Sequence, residues 1–125
     1  MSRIAIYRHP AYPQTVGDYE IREPTFLILT ALAGGPQHGY AVIGDVEAIS
    51  DGRVVLRAGT LYAALDRLLN DGLVADSGTE VVDGRLRRYY SLTDQGAAVL
   101  DTEVQRLRAN ASRAASRLRV RPSHT

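Results

Sequence analysis

Apolar residues recur along this chain at steps of three and four in several separate stretches, and one stretch between them switches to a step of two. The sharpest helical pattern lies at residues 57–70, RAGTLYAALDRLLN, where Leu61, Leu65, Leu68 and Leu69 share one stripe and Thr60, Ala63, Ala64 and Arg67 take the other faces. One side wants a core; the other is slim and lightly basic. Upstream, Pro24 opens a helix in which Phe26, Leu27, Ile28, Leu29 and Leu32 are apolar almost all round, which predicts a central position. Gly34-Gly35-Pro36 stops it. A second helix is expected over Gly39–Ile49, with Tyr40, Ile43 and Val46 on its inner stripe, Val42 and Ile49 flanking, and Asp45 and Glu47 outward.

After Asn70-Asp71-Gly72 the period changes. Leu73, Val74 and Ala75 start a strand, Thr79 to Val82 continue it, and Asp83-Gly84 signals a tight hairpin into residues 85–92. Alternation puts Leu86, Arg88, Tyr90 and Leu92 on one face and Arg85, Arg87 and Tyr89 on the other. Thr93 is a natural cap for the last helix, along which Ala97, Leu100, Val104, Leu107, Ala111, Ala114 and Leu118 form an unbroken heptad seam. Such a helix spans on the order of 39 Å at ~1.5 Å per residue, longer than this small core can cover, so a second helix is expected along it.

Residues 1–21 show no sustained period. They read as an arm whose Tyr7, Arg8, Tyr12 and Tyr19 would lie on a partner chain or on DNA, or else as a loosely ordered terminus.

Helix, helix, turn, helix, then a hairpin with a basic tip is the order of a winged helix-turn-helix. The expected fold class is therefore mainly α with a small β-hairpin. Its parts are a DNA-binding domain over 22–92, a C-terminal dimerisation helix over 93–119 and a tail over 120–125. A helix faced with Ala63 and Arg67 is thin enough for a major groove, where arginine can fork onto guanine or phosphate. Arg85, Arg87 and Arg88 crowd one turn, an arrangement suited to phosphates or a minor groove.

Composition narrows the function classes. A length of 125 residues allows one domain plus an arm or a long helix. The net charge of +1 decides nothing about nucleic acid. All 15 basic residues are arginine, which suits bidentate contacts and equally follows from genomic base composition. Cysteine is absent, which excludes disulfides, thiol nucleophiles and Cys-ligated zinc. The three histidines, His9, His38 and His124, are scattered without metal-site spacing, and His38 is placed to order a turn. No signal peptide is legible, and the longest apolar run, residues 26–33, is too short to span a bilayer. The expectation is a soluble, cytoplasmic protein with no cofactor, metal or membrane partner.

Taken together, the motifs carry a family resemblance. Gly35-Pro36-Gln37-His38-Gly39-Tyr40, Gly59-Thr60-Leu61-Tyr62 with Ala64-Leu65 and Leu68, Asp71-Gly72-Leu73, then Gly84-Arg85, Arg88-Tyr89-Tyr90 and Leu92-Thr93 with Gly96 together resemble the PadR family of transcriptional regulators, in order and spacing, over roughly residues 24–107. The resemblance implies a dimeric winged helix-turn-helix protein that binds operator DNA, usually as a repressor, and is released by a small molecule or stress signal. The short C-terminal part resembles the compact branch, in which a single terminal helix dimerises. Tyr40, Thr60 and Tyr62 match positions that the family presents to DNA, and Gly84, Arg85, Arg87, Arg88 and Tyr89 match its wing. Tyr40 and Tyr62 could also bury their rings and expose only the hydroxyl. An effector pocket is implied at the dimer interface, between first and terminal helices, with Phe26, Leu29 and Val99 in its lining. Two departures stand out: Ala58 replaces a common Ser or Pro cap, and Ala63 sits where Pro is common.

Two other function classes compete. A winged helix can serve as a protein interaction module that never engages DNA, since fold alone does not settle function. An enzyme has little support, because no nucleophile with a partnered base, no carboxylate pair and no phosphate loop is present.

Overall fold

Pro24, near the first position of α1 (Glu23–Ala33), removes an N–H that would have had no intrahelical partner, and the helix then buries Leu27, Ile28, Leu29, Ala31 and Leu32. The computed structural model describes residues 21–123. The arm residues Tyr7, Arg8, Tyr12 and Tyr19 lie outside the described residues, while Ile21 already packs against the core. An all-round apolar helix needs neighbours on several sides, and α1 packs against α2 (Gly39–Ile49), the terminal helix and the hairpin.

The expected bounds of α2 hold, but its rotation does not. Gly39, Val42 and Val46 face the core, Ile43 is half-buried, and Tyr40 and Ile49 are exposed. A Cβ on Gly39 would collide with the Tyr62 ring, so that ring packs directly on the α2 backbone and turns this edge of the helix inward. Periodicity admits stripes one residue apart; contact with α3 (Ala58–Asn70) selects one of them. Asp45, expected to point outward, is half-buried and accepts a hydrogen bond from Gln37 Nε2 at 2.9 Å. On α3 itself, Leu61, Leu65 and Leu68 are fully buried, and Ala64 joins them instead of facing out. Ala64 stands three after Leu61 and four before Leu68, so it shares their stripe. Consistent with Ala58 in place of a capping residue, α3 starts at N-cap Arg57 without a side-chain cap.

The hairpin pairs β2 (Val74–Val82) with β3 (Arg85–Leu92) antiparallel, in register from Val74 opposite Leu92 to Val82 opposite Arg85. Asp83 and Gly84 both take positive φ, 52° and 76°, the backbone of a two-residue turn that matches the twist of its strands. An irregularity between Asp76 and Gly78 bends β2. One strand was not expected: β1, Gln37 and His38, joins the free edge of β3, giving the order β1-β3-β2. Two residues carry no period, and their partners Tyr90 and Tyr89 lie far along the chain. The Gln37 side chain adds a second tie, donating to the Ala31 carbonyl at 2.9 Å.

The last helix, α4 (Asp94–Val120), is anchored at its first turn. Thr93 Oγ1 accepts from the Gly96 N–H at 3.0 Å and donates to the Gly72 carbonyl at 2.7 Å, while the Thr93 N–H donates to the Leu73 carbonyl at 3.1 Å. Gly96 sits so close to the Leu73 carbonyl that a Cβ there would overlap backbone. Beyond this anchor only Val99 and Glu103 are buried, and residues 111–120 are exposed on every face. Val120, expected in the tail, still belongs to the helix. Among the described residues no helix is long and apolar enough to cross a membrane.

A Cβ on Gly96 would meet the Leu92 side chain, which can yield, and the Leu73 carbonyl, which cannot. Gly96→Ala forces carbonyl and helix apart, because the obstructing atom is backbone, and chemical denaturation is expected to show a loss of about 1–3 kcal/mol. Unchanged stability would mean that α4 does not depend on this close approach.

Candidate nucleic-acid interface

With the leucine stripe turned inward, α3 presents Gly59, Thr60, Tyr62, Ala63, Asp66, Arg67 and Asn70 to solvent. Gly59 and Ala63 form a low ridge along the middle of that arc, and polar groups flank it. Tyr62 and Asp66 stand on the flank near the hairpin, where both act electrostatically on Tyr90. Thr60 and Arg67 stand on the opposite flank, facing the head of α1 across a cleft of about 450 Å³. Tyr40 projects from the first turn of α2 with 63% of its surface exposed. Tyr62 divides its roles, with its ring against Gly39 and 37% of its surface in solvent. Sequence alone assigned no role to Gly39 or Asp66; both became legible only when α2, α3 and the hairpin met.

The wing is held by charge as well as by its ladder. Arg88 Nε donates to Asp76 Oδ2 at 2.8 Å across the strands, and its guanidinium carbon lies 5.3 Å from the centroid of the buried Tyr90 ring. A backbone hydrogen bond from the Gly78 N–H and the bond from Arg88 hold the Asp76 carboxyl below its ordinary value. Tyr89 donates its hydroxyl to Glu80 at 2.6 Å, which raises its own pKa, and its ring meets His38 edge-on at 5.5 Å. His38 Nδ1 in turn accepts from the Ala41 N–H, capping α2. Arg88 and Tyr89, both expected to face DNA, are thus also fastened within the wing. Arg85 and Arg87, with Gly84 at the turn, carry the positive charge at its outer end. The root is apolar, with Tyr90 buried, while Leu86 near the tip is 70% exposed.

On α4 the seam and the domain-facing edge are adjacent but distinct. Gly96, Val99 and Glu103 are buried against the domain; of the seam, Leu100 and Val104 are half-buried, and Ala97, Leu107, Ala111, Ala114 and Leu118 are exposed. Glu103 is paired with Arg106, whose Nε lies 3.0 Å from its carboxylate. These two residues, with Leu107, face Phe26 and Leu27 across a second cleft of about 320 Å³ between α1 and α4. Phe26, named for an effector pocket at the dimer interface, lines this cleft of the single chain. Leu29 and Val99 do not: both are core residues, drawn inward because α1 is surrounded on several sides. Among the described residues no three His, Cys, Asp or Glu side chains converge as a metal site.

A helical trio whose third member turns a small-residue ridge outward, closed by a basic two-stranded hairpin, defines a winged helix-turn-helix protein. Residues 28–102 match the family described as transcriptional regulator PadR-like. The chain belongs to that family, one of transcriptional regulators and not of enzymes.

Solved structures agree in fold. A PadR family transcription regulator from Clostridium difficile superposes with a TM-score of 0.63 at 25% identity, covering 75% of this chain and 96% of that one. A PadR-like transcription factor from Bacteroides fragilis gives 0.60 at 26% identity, with 76% and 88% covered. Bacillus subtilis PadR, in complex with operator DNA, shares the fold at a TM-score of 0.60 and 21% identity, over 66% of this chain and 47% of that one. In sequence, residues of a 37.1 kDa protein of a Streptomyces fradiae transposon are 42% identical over 77 positions. That match takes in 62% of this chain, which spans about a fifth of the relative's length.

The wing's fastening has a pH signature. Because the folded-state pKa of Asp76 is lowered, its contribution is fully present above the ordinary aspartate value of 3.8 and is lost as pH falls through the lower folded value. An NMR titration of the Asp76 carboxyl should therefore give a midpoint below 3.8, with the Gly78 amide shifting alongside it. A midpoint at or above 3.8 would show that the Arg88 and Gly78 hydrogen bonds do not form in solution.

Proposed function

We propose that this chain is a homodimeric, cytoplasmic repressor that binds a pseudopalindromic operator and is released by a small molecule or stress signal. The observation that carries the DNA-binding part is the outward face of α3, a ridge of Gly59 and Ala63 low enough to enter a major groove, with the charge of Arg85 and Arg87 at the end of the adjoining wing. Tyr40, Thr60, Tyr62 and Arg67 surround that ridge, and Arg88 and Tyr89 set the pose of the wing besides meeting phosphate. That a similarly folded Bacillus subtilis protein forms a complex with operator DNA supports the same use here.

The dimer is proposed from α4. Ala97, Leu100, Val104, Leu107, Ala111, Ala114 and Leu118 line one stripe, and most of it finds no cover on its own domain. A second copy would bury it and set two recognition helices about 34 Å apart, one per half-site. The domain over 22–92 would then be the reading head and the helix over 93–119 the joint. The cleft between α1 and α4 adjoins this seam through Leu107, so an effector lodged beside Phe26 would act on the joint.

Selection of bound fragments from genomic DNA tests the reading directly: one recurrent pseudopalindromic motif is expected, whereas recovery of no defined sequence would favour a protein interaction module. Against the selected operator, Arg85→Ala with Arg87→Ala should weaken binding and flatten its salt dependence by about 0.9 for each phosphate that is no longer neutralised, leaving the fold intact because Arg88 still holds Asp76. Wild-type affinity in that variant would remove the wing from the interface. Leu107→Glu with Leu118→Glu is expected to yield a folded monomer by light scattering, since both side chains are exposed in the single chain; a persisting dimer would place the joint elsewhere.

A further inference from the structure

The exposed arc of α3 has two flanks, and the wing attends to only one. On the other, Thr60 and Arg67 make one wall of the 450 Å³ cleft, and Arg22 and Thr25 at the head of α1 make the opposite wall. Ile28 and Leu56 floor it. The lining holds two guanidiniums and no carboxylate, and neither Arg22 nor Arg67 has an ion-pair partner among the described residues. Glu23, the acid next to Arg22, is engaged by Arg53 at 3.4 Å.

We propose that this cleft seats the sugar–phosphate backbone of one DNA strand, the wall of the major groove on the side away from the wing. The inference rests on the DNA-binding reading above and extends it to α1, an element that reading leaves away from the duplex. A helix lodged in a major groove runs between two backbones, and a protein that grips only one leaves its own rotation in the groove unset. The wing supplies one grip and the cleft the other. Phosphate is the group that two arginines and two hydroxyl donors lining one cleft recognise, and the apolar floor accepts the face of a deoxyribose; Arg22, at the head of α1, also borders the α1–α4 cleft. A small anion would satisfy the arginines as well. The cleft, however, shares Gly59, Thr60, Ala63 and Arg67 with the exposed face of α3, so a duplex lying on that face covers it. Arg22 and Thr25 are thereby positioning residues: they set how α3 sits, without reading a base.

The experiment measures binding of the full-length chain, across a range of salt concentrations, to a duplex carrying the selected operator and to an unrelated duplex. Arg22→Gln, Thr25→Trp and the paired Arg85→Ala, Arg87→Ala variant are compared with wild type. Arg22→Gln should weaken both duplexes by a similar factor and reduce the salt slope by about 1.8, two phosphates per dimer at ~0.9 each. Thr25→Trp, which fills the cleft from the α1 wall, should weaken both by a similar factor while its thermal melt stays that of the wild type. If both cleft variants bind and respond to salt as wild type does while the wing variant loses affinity, the backbone seat is wrong and the DNA-binding reading stands. If wild type binds neither duplex at low salt, both fall together.

Discussion

Complete burial of Leu61, Leu65 and Leu68 fixes the rotation of α3, and through it which side chains that helix presents to solvent. Each leucine withdrawn from water contributes about 1.5–3 kcal/mol, and turning the helix by one residue would expose that stripe and bury Arg67 or Asp66 in its place. Among the described residues no surface interaction approaches that penalty. The outward arc of small and polar residues is thus a consequence of the core, held as firmly as the core is.

Secondary fastenings refine this arrangement at its edges. The Tyr62 ring on Gly39 locks α2 to α3, and His38 joins the cap of α2 to the edge of the wing through Tyr89. Arg88 between Asp76 and Tyr90 stiffens the root of the hairpin. The ion pair among these contacts, Arg88 with Asp76, is exposed and weak alone. The value of these contacts lies in being linked: α3, α2 and the hairpin are tied to one another by side chains as well as by the core.

The terminal helix answers to a different constraint. Its first turn is stitched to the Gly72-Leu73 corner by Thr93 and Gly96, but its residues 111–120 are exposed on every face. Exposed Leu107 and Leu118 on a regular seam are uncovered in a single chain, and a helix of this length draws most of its stability from a packed face. The exposed seam of α4 and the exposed arc of α3 are accordingly built from separate residues, and the cleft beside Phe26 adjoins the seam at Leu107.

Much of this was legible without coordinates. The bounds of α2, the leucine stripe of α3, the Asp83-Gly84 turn and the Thr93 cap are each set by residues within a few positions of one another, and local chemistry suffices to read them. What stayed hidden was every choice made between distant segments. The two-residue strand β1 exists only because β3 offers it an edge, α2 is rotated by a tyrosine from another helix, and Leu29 and Val99 are core because α1 is enclosed from several sides. Arg22 gains a candidate role only from facing Arg67 across a gap. Periodicity states that a face is apolar; which neighbour meets it, and at what rotation, is decided by packing among segments far apart in the chain.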